Sequence, residues 1–102
     1  MAQPPKNPLP SRPPWTIFSN HAHVLVCIAR NPEERVREIA RKVGITERAV
    51  QRIIGDLEEA GVIARERLGR SNRYTLSLDR PLRHPLEANT TIAAVIRVIE
   101  NS

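Results

Sequence analysis

The side chains best suited to chemistry in this chain lie in one stretch, GITERAVQRIIGDLEEAG, residues 44–61. Two basic residues come early in it and three acidic residues come late, namely Arg48, Arg52, Asp56, Glu58 and Glu59. A helix dipole favours the reverse order, with acids in the first turn and bases in the last. Each misplaced charge would cost an isolated helix roughly 0.3 kcal/mol or more, and only Glu47 obeys the rule. The order instead suits a polyanion near the first turns.

The overall composition favours the same kind of partner. The chain has 102 residues with 16 basic and 11 acidic side chains, a net charge of +5, and 14 of the 16 bases are arginine. Arginine makes bidentate contacts to phosphate and to guanine edges, so the balance favours nucleic acid, with ordinary solubility charge as the alternative. A chain of this length is expected to be one small domain, too small for most enzymes, and can need a partner subunit to complete its core.

Other candidate sites are weak. His21 and His23 stand two apart in a predicted helix and so point in different directions, and Cys27 has no nearby ligand set, so we expect no metal and no cofactor. Cys27 is expected in the core, with a redox role as the alternative. We find no nucleophile with a base, no carboxylate pair and no phosphate-binding glycine loop, and we predict that the chain is not an enzyme. One cysteine, no signal peptide and no long apolar segment predict a cytoplasmic protein.

The first elements of the chain can be placed from composition and periodicity. Residues 1–14 hold six of the nine prolines and are predicted to be a disordered arm. A helix capped by Ser19 or Asn20 is predicted to follow and to stop at Asn31-Pro32, with VLVCI as a strand the alternative. Its run at residues 24–29 is apolar on every side, which predicts burial on two faces, one against its own domain and the other most simply against a second copy.

Two further helices flank a very short joint. The first has one apolar face with spacing i, i+3, i+4 and i+7, and the second repeats it: Val36, Ile39, Ala40 and Val43, then Val50, Ile53, Ile54 and Leu57. Thr46 is placed to cap the second helix and Gly61 to end it. The joint is only VGIT, and so short a turn containing Gly44 forces a steep crossing, which is the helix-turn-helix arrangement.

After Gly61 the hydrophobic period changes toward two. VIARERL and RYTLSL around GRSN predict a β-hairpin, with Tyr74, Leu76 and Leu78 alternating against polar residues. The domain is expected to span residues 15–80, followed at 81–102 by a linker and a C-terminal helix. That helix carries an apolar stripe expected to find little to pack against within one domain, formed by Ile92, Val95, Ile96 and Ile99.

This order of elements resembles the winged helix-turn-helix transcription regulators, and VREIARKVGITERAVQRI fits their pattern closely. The likeness covers roughly residues 20–78 and is greatest to small MarR-like and related bacterial regulators. It implies an α+β, mainly helical fold with a two-stranded hairpin wing and a C-terminal helix. The chain departs from typical MarR-like proteins in its short wing, which lacks their Asp-x-Arg pattern, and in having too little chain for their long helical dimerisation region.

The resemblance implies that residues 46–60 form a recognition helix that enters the DNA major groove. The candidate base-contacting residues are then Glu47, Arg48, Gln51 and Arg52. The candidates for the phosphates or for the wing, at residues 69–73, are Arg37, Thr46, Arg70, Ser71, Asn72 and Arg73. For Arg65 and Arg67 a DNA contact and a solvated strand face remain equal alternatives, and Lys6 and Arg12 would allow the arm to follow the DNA backbone.

The predicted function is therefore a homodimeric, sequence-specific double-stranded DNA-binding regulator. The predicted dimer interface comprises Leu25, Ile28, Ile92, Val95, Ile96 and Ile99. A small-molecule effector is compatible with this function, but no residue indicates one. The alternatives are a winged-helix protein-interaction module without DNA binding, and an RNA-binding protein, which the single Tyr and single Phe disfavour.

Overall fold

A computed structural model describes residues 13–100. Its helices are α1 (Asn20–Arg30), α2 (Val36–Val43), α3 (Glu47–Glu59) and α4 (Ile92–Glu100), and strands β1 (Ile63–Leu68) and β2 (Ser71–Leu76) form an antiparallel hairpin between α3 and α4. The predicted α+β fold class, mainly helical with a hairpin and a C-terminal helix, is confirmed. The predicted arm at residues 1–14 lies outside the described residues except for its last two prolines.

Helix α1 confirms the helical prediction for the apolar run and excludes the strand alternative. Ser19 occupies the N-cap position, although its side chain makes no capping hydrogen bond, and the helix ends at Asn31 as predicted. Val24, Leu25 and Ile28 are buried in the core, where they pack with residues of α2, α3 and α4. The burial of α1 on several sides is therefore achieved within one chain.

The joint between α2 and α3 has the geometry that its glycine predicts. Gly44 has φ +84°, a left-handed conformation that L-residues with side chains rarely adopt, and its N–H donates to the Ala40 carbonyl at 2.8 Å. The Thr46 hydroxyl then caps α3 by accepting from the Ala49 N–H at 3.0 Å. The apolar faces of both helices meet in the core, so α2 and α3 pack directly against each other.

The hairpin follows directly from a left-handed Gly61 at φ +76°, where the Val62 N–H donates to the Leu57 carbonyl at 2.9 Å. A second left-handed glycine, Gly69, turns the chain between the strands. Tyr74 is buried, and its backbone N–H donates to the Pro32 carbonyl at 3.0 Å, which joins the hairpin to the segment after α1. The predicted strand extended too far, because β2 ends at Leu76 and Leu78 lies half-exposed in the turn that follows.

The C-terminal segment completes the core. An isolated bridge between Pro81 and Thr91 closes the loop that contains the short 3-10 turn Pro85–Glu87, and α4 then packs against α1. Ile92 and Ile96 are 4% and 8% exposed and belong to the same core as α1 to α3. The expectation that the stripe of α4 lacks a partner within the domain is therefore wrong for these two residues.

The predicted dimer interface is corrected accordingly. Four of its six residues lie inside the core of the single chain, so they offer almost no surface to a second copy: Leu25, Ile28, Ile92 and Ile96. Val95 and Ile99 are partly buried, and the most exposed apolar side chain of α4 is Val98. The sequence identified the apolar stripe correctly, but it could not show that α1 covers the inner half of that stripe.

Candidate nucleic-acid interface

The predicted base-contacting residues lie together on the solvent side of α3. Glu47, Arg48, Gln51 and Arg52 are all exposed in the first two turns, because the opposite face buries Val50, Ile53, Ile54 and Leu57. Burial of the apolar residues at i, i+3, i+4 and i+7 fixes the rotation of α3 about its axis, and this rotation turns the polar side chains toward solvent. Long side chains ending in guanidinium and amide groups at this spacing can reach donors and acceptors several ångström beyond the helix.

The start of α3 adds a second favourable feature for an anion. The first N–H groups of a helix carry a partial positive charge, and Thr46 stands exposed beside them. The Thr46 oxygen already accepts from Ala49, but its hydroxyl hydrogen can still donate. Arg37, in the first turn of α2, is also exposed.

Two acidic residues in the second half of α3 are held by neighbouring elements. The Asp56 carboxylate contacts His21 Nε2 on α1 at 2.9 Å, and the Glu58 carboxylate accepts from Arg65 on β1 at 3.1 Å. The two carboxylates are thus drawn to opposite flanks of the helix, one toward α1 and one toward the hairpin. These contacts explain how α3 accommodates acidic residues beside an Arg-rich face. The pairing of His21 with Asp56, 35 positions apart, could not have been predicted from the sequence.

The strand register divides the candidate residues of the hairpin between two faces. Cross-strand partners share a face, so the Arg65–Tyr74 and Arg67–Asn72 pairs lie on the side of the buried tyrosine. Arg73 pairs with Glu66 on the other side, as Ser71 does with Leu68. Asn72 and Arg73, which the sequence placed in one loop set, therefore point in opposite directions, and Arg70 lies at the turn between the strands.

Arg65 and Arg67 have structural partners that sequence reasoning missed. Arg65 bonds Glu58 and also lies beside the Tyr74 phenol, which Asn72 contacts as well. Burial raises the pKa of Tyr74, so the phenol remains protonated and can donate at neutral pH. Arg67 Nε donates to the Gly69 carbonyl at 2.9 Å and so supports the turn. The alternation of the strand was the only sequence signal for this shared face.

Comparison with known proteins identifies the arrangement. The family model of winged helix-turn-helix DNA-binding domains matches residues 20–64. The matched segment is similar to winged helix-turn-helix DNA-binding domains. It contains α1, α2, the turn at Gly44, α3 and the start of β1, so the hairpin that follows is the wing.

The chain is also similar to solved structures of MarR family regulators. A MarR family protein of Mycobacterium tuberculosis, in complex with salicylic acid, is 27% identical with a TM-score of 0.53, over 82% of this chain and 62% of that one. The zinc-responsive MarR family member ZitR of Lactococcus lactis is 17% identical with a TM-score of 0.56, over 87% and 55%. The PcaV regulator of Streptomyces coelicolor, in complex with its natural ligand, is 19% identical with a TM-score of 0.51, over 82% and 61%.

These likenesses confirm the predicted resemblance to MarR-like regulators and the winged fold. The chain matches between about half and three fifths of the length of these regulators. A search of curated proteins finds no match to the chain.

Other groups of the winged domain have ordinary surroundings. His23 contacts Asn20 within α1, and His21 is the partner of Asp56, so the two histidines do point apart. Across residues 13–100 no cluster of three or more potential metal ligands occurs, and no helix is long and apolar enough to cross a membrane. Burial raises the pKa of the Cys27 thiol, an effect partly offset by Lys42 and Arg30. Cys27 therefore lacks the depressed pKa of a reactive thiolate.

Proposed function

We propose that this protein is a sequence-specific double-stranded DNA-binding transcriptional regulator that acts as a homodimer. In this proposal α3 enters the major groove and the wing lies on the adjacent backbone or minor groove. The observation that carries the proposal is the exposed face formed by Arg48, Gln51 and Arg52 within a matched winged helix-turn-helix domain. The proposal includes a bacterial source and a cytoplasmic location, because bacterial DNA lies in the cytoplasm.

The roles of the α3 residues follow from the chemistry of base edges. An arginine can donate to guanine O6 and N7 together, a glutamine can pair with adenine N6 and N7, and a glutamate can accept from cytosine N4. Arg48 or Arg52 would make the first contact, Gln51 the second and Glu47 the third. Each good bidentate contact is worth about 1–3 kcal/mol of discrimination against a wrong base.

The residues around α3 would hold the domain in register on the duplex. Arg37 and Thr46 at the starts of α2 and α3, and the wing residues at its turn, would contact phosphates. Arg70 at the turn is placed to reach a minor groove, whose narrow A·T-rich regions attract arginine. Because Ser71 and Arg73 share one face of the wing and Asn72 the other, the two faces would address different parts of the DNA.

The homodimer is proposed from the outer face of α4. Val98 is 63% exposed, and Val95, at i−3, and Ala94, at i−4, are only partly buried, so an apolar strip remains after Ile92 and Ile96 are covered by the core. Ile99, which is also partly buried, completes the proposed interface. A second copy meeting this strip would bring two α3 helices onto half-sites about 34 Å apart, one turn of DNA.

The proposal is tested by fluorescence anisotropy of a labelled mixed-sequence duplex over a salt series. The wild type is compared with the Arg48→Ala, Arg52→Ala double variant. The control is Arg30→Ala, Arg83→Ala, which removes the same charge from exposed sites outside α3 and the wing. We expect affinity to fall steeply with salt and the α3 variant to bind more weakly. On this mixed-sequence duplex, where the arginines have no selected guanines to contact, the log–log slope should be smaller by about 0.9 for each of the two that instead pairs with a phosphate.

Three outcomes decide the matter. Weaker binding of the α3 variant than of the charge-matched control supports the proposal and justifies selection of an operator from randomised duplexes. Equal losses in both variants would mean that net charge alone attracts the duplex. Absence of binding by the wild type at low salt would contradict DNA binding and favour the use of the winged helix as a protein-interaction module. Sedimentation at micromolar concentration tests the dimer, and a monomer mass would contradict it.

A further inference from the structure

Gly55 is an unusual residue for its position in α3. It lies in the interior of a 13-residue helix, on the exposed side, and its backbone is right-handed, unlike the three glycines with positive φ. Alanine stabilises such a position relative to glycine, because glycine loses more backbone freedom and leaves the helix backbone in contact with water. The presence of glycine here weakens the helix that carries the candidate base-contacting residues.

No contact within the described chain requires this glycine. Apart from its chain neighbours and the adjacent backbone of α3, a Cβ atom built on Gly55 has no atom within 4 Å, whereas one on Gly61 would lie 2.7 Å from the Arg80 guanidinium. Packing and backbone conformation therefore explain Gly61 but leave Gly55 unexplained. The remaining physical reason for a glycine is the close approach of a molecule outside the chain.

The place of Gly55 on α3 indicates what that molecule is. Gly55 stands three residues after Arg52, four after Gln51 and seven after Arg48, so it lies on the same helix face. It is also eight residues after Glu47, about 12 Å along the axis at 1.5 Å per residue. A B-DNA major groove is about 12 Å wide between its two strands, so a helix whose start lies against the phosphates of one strand reaches the other strand at about this distance.

Two of the three acids near Gly55 turn away from it. Asp56, the next residue, turns toward His21 on α1, and Glu58 turns toward Arg65 on the wing. The third acid, Glu59, is exposed four residues after Gly55 on the same helix face. A phosphodiester strand that crosses α3 at Gly55 would therefore lie on the Arg52 side of Glu59, where like-charge repulsion is smaller.

We propose that Gly55 is a positioning residue at which one sugar–phosphate strand crosses α3, and that its missing side chain sets how deeply the helix enters the groove. This inference rests on the proposed DNA-binding function. The contact is van der Waals packing of helix backbone on the strand, since the peptide groups there are already bonded within the helix. A side chain at residue 55 would hold α3 away from the bases.

The test measures duplex affinity and thermal unfolding for Gly55→Ala and Gly55→Leu beside the wild type. Both variants have open space for the new side chain and better helix propensity, so we expect the unfolding midpoint to rise by about 4–8 °C for alanine. Affinity is expected to fall in order of side-chain size, with the leucine variant weaker by about five- to 100-fold, as for overpacking of a close contact. Ala88→Leu, which adds the same kind of bulk at an exposed position of the loop between the wing and α4, is the control and should bind like the wild type.

The result separates this inference from the function on which it rests. If the wild type binds and Arg48→Ala, Arg52→Ala weakens binding, but Gly55→Leu binds as the wild type does, the positioning role is overturned and the proposed function stands. If Ala88→Leu loses as much affinity as Gly55→Leu, bulk alone is responsible and the inference is again overturned. If the wild type does not bind DNA, both fail together.

Discussion

Truncation of Ile92 distinguishes the core role of α4 from the dimer role that its sequence suggested. Ile92 is 4% exposed and packs into the core shared with α1, α2 and α3. Ile92→Ala removes the equivalent of three methylene groups, about 2.4 kcal/mol at 0.8 kcal/mol each, before any term for the cavity. We therefore expect the free energy of unfolding to fall by about 3 kcal/mol, a large part of the roughly 5–15 kcal/mol available to such a domain.

The matched variant is Val98→Ala on the opposite side of α4. Val98 is 63% exposed, so its truncation should change the free energy of unfolding of one chain by at most about 0.5 kcal/mol. If Val98 lies in a dimer interface, its truncation should instead weaken association, which lowers the unfolding midpoint and makes it less dependent on protein concentration. The two substitutions on one helix thus affect different quantities.

The assay is urea unfolding followed by circular dichroism at two protein concentrations about 50-fold apart, so that folding and association separate. Ile92→Ala should lower the urea midpoint by a similar amount at both concentrations. A loss below about 0.5 kcal/mol, or a loss that occurs only through association, would refute the assignment of Ile92 to the core of a single chain.

Two further predictions concern single residues. Thr46→Ala removes the hydroxyl oxygen that accepts from the Ala49 N–H at 3.0 Å, so it should lower the free energy of unfolding by about 1 kcal/mol. Thr46→Ser keeps a hydroxyl and should retain most of the wild-type stability. Equal losses in the urea midpoint for the two variants would contradict the capping role. Burial raises the pKa of Cys27, so its alkylation by iodoacetamide at pH 8 should be slower in the folded protein than in urea, and faster labelling when folded would contradict the assignment. By the same sign, this thiol contributes stability that is present at neutral pH and is lost as the pH rises above 9, because the unfolded chain then releases its proton first.

Much of the fold could be read from local pattern. The pattern of apolar residues located helices α1 to α4. Gly44 and Gly61 marked two of the turns at which the backbone is left-handed. Periodicity is informative here because neighbours at i, i+3 and i+4 share a helix face whatever the rest of the chain does. The end of β2 was predicted two residues too late, because the bonds that bend the chain there involve Val62 and Arg80, which are distant from the strand or outside it.

The candidate site was predictable in part. The polar residues of α3 could be placed on its exposed face because the apolar spacing of the same helix showed which face is buried. The wing could not be resolved in this way, because a one-residue difference in register moves every side chain to the other face, and the register is set by pairing across the turn. The roles of Arg65 as a partner of Glu58 and of Arg67 as a support of the turn followed only from that pairing.

The sequence by itself determined the elements, their order and the polar face of α3, since each depends on residues within a few positions of one another. Only the tertiary structure decided what covers each apolar face and where each charge is directed. Ile92 and Ile96 are covered by α1, not by a second copy, and Asp56 is drawn to His21, because long-range packing brings together segments that the chain separates. The physical reason is that burial and ion pairing depend on distance in space, which local periodicity does not encode.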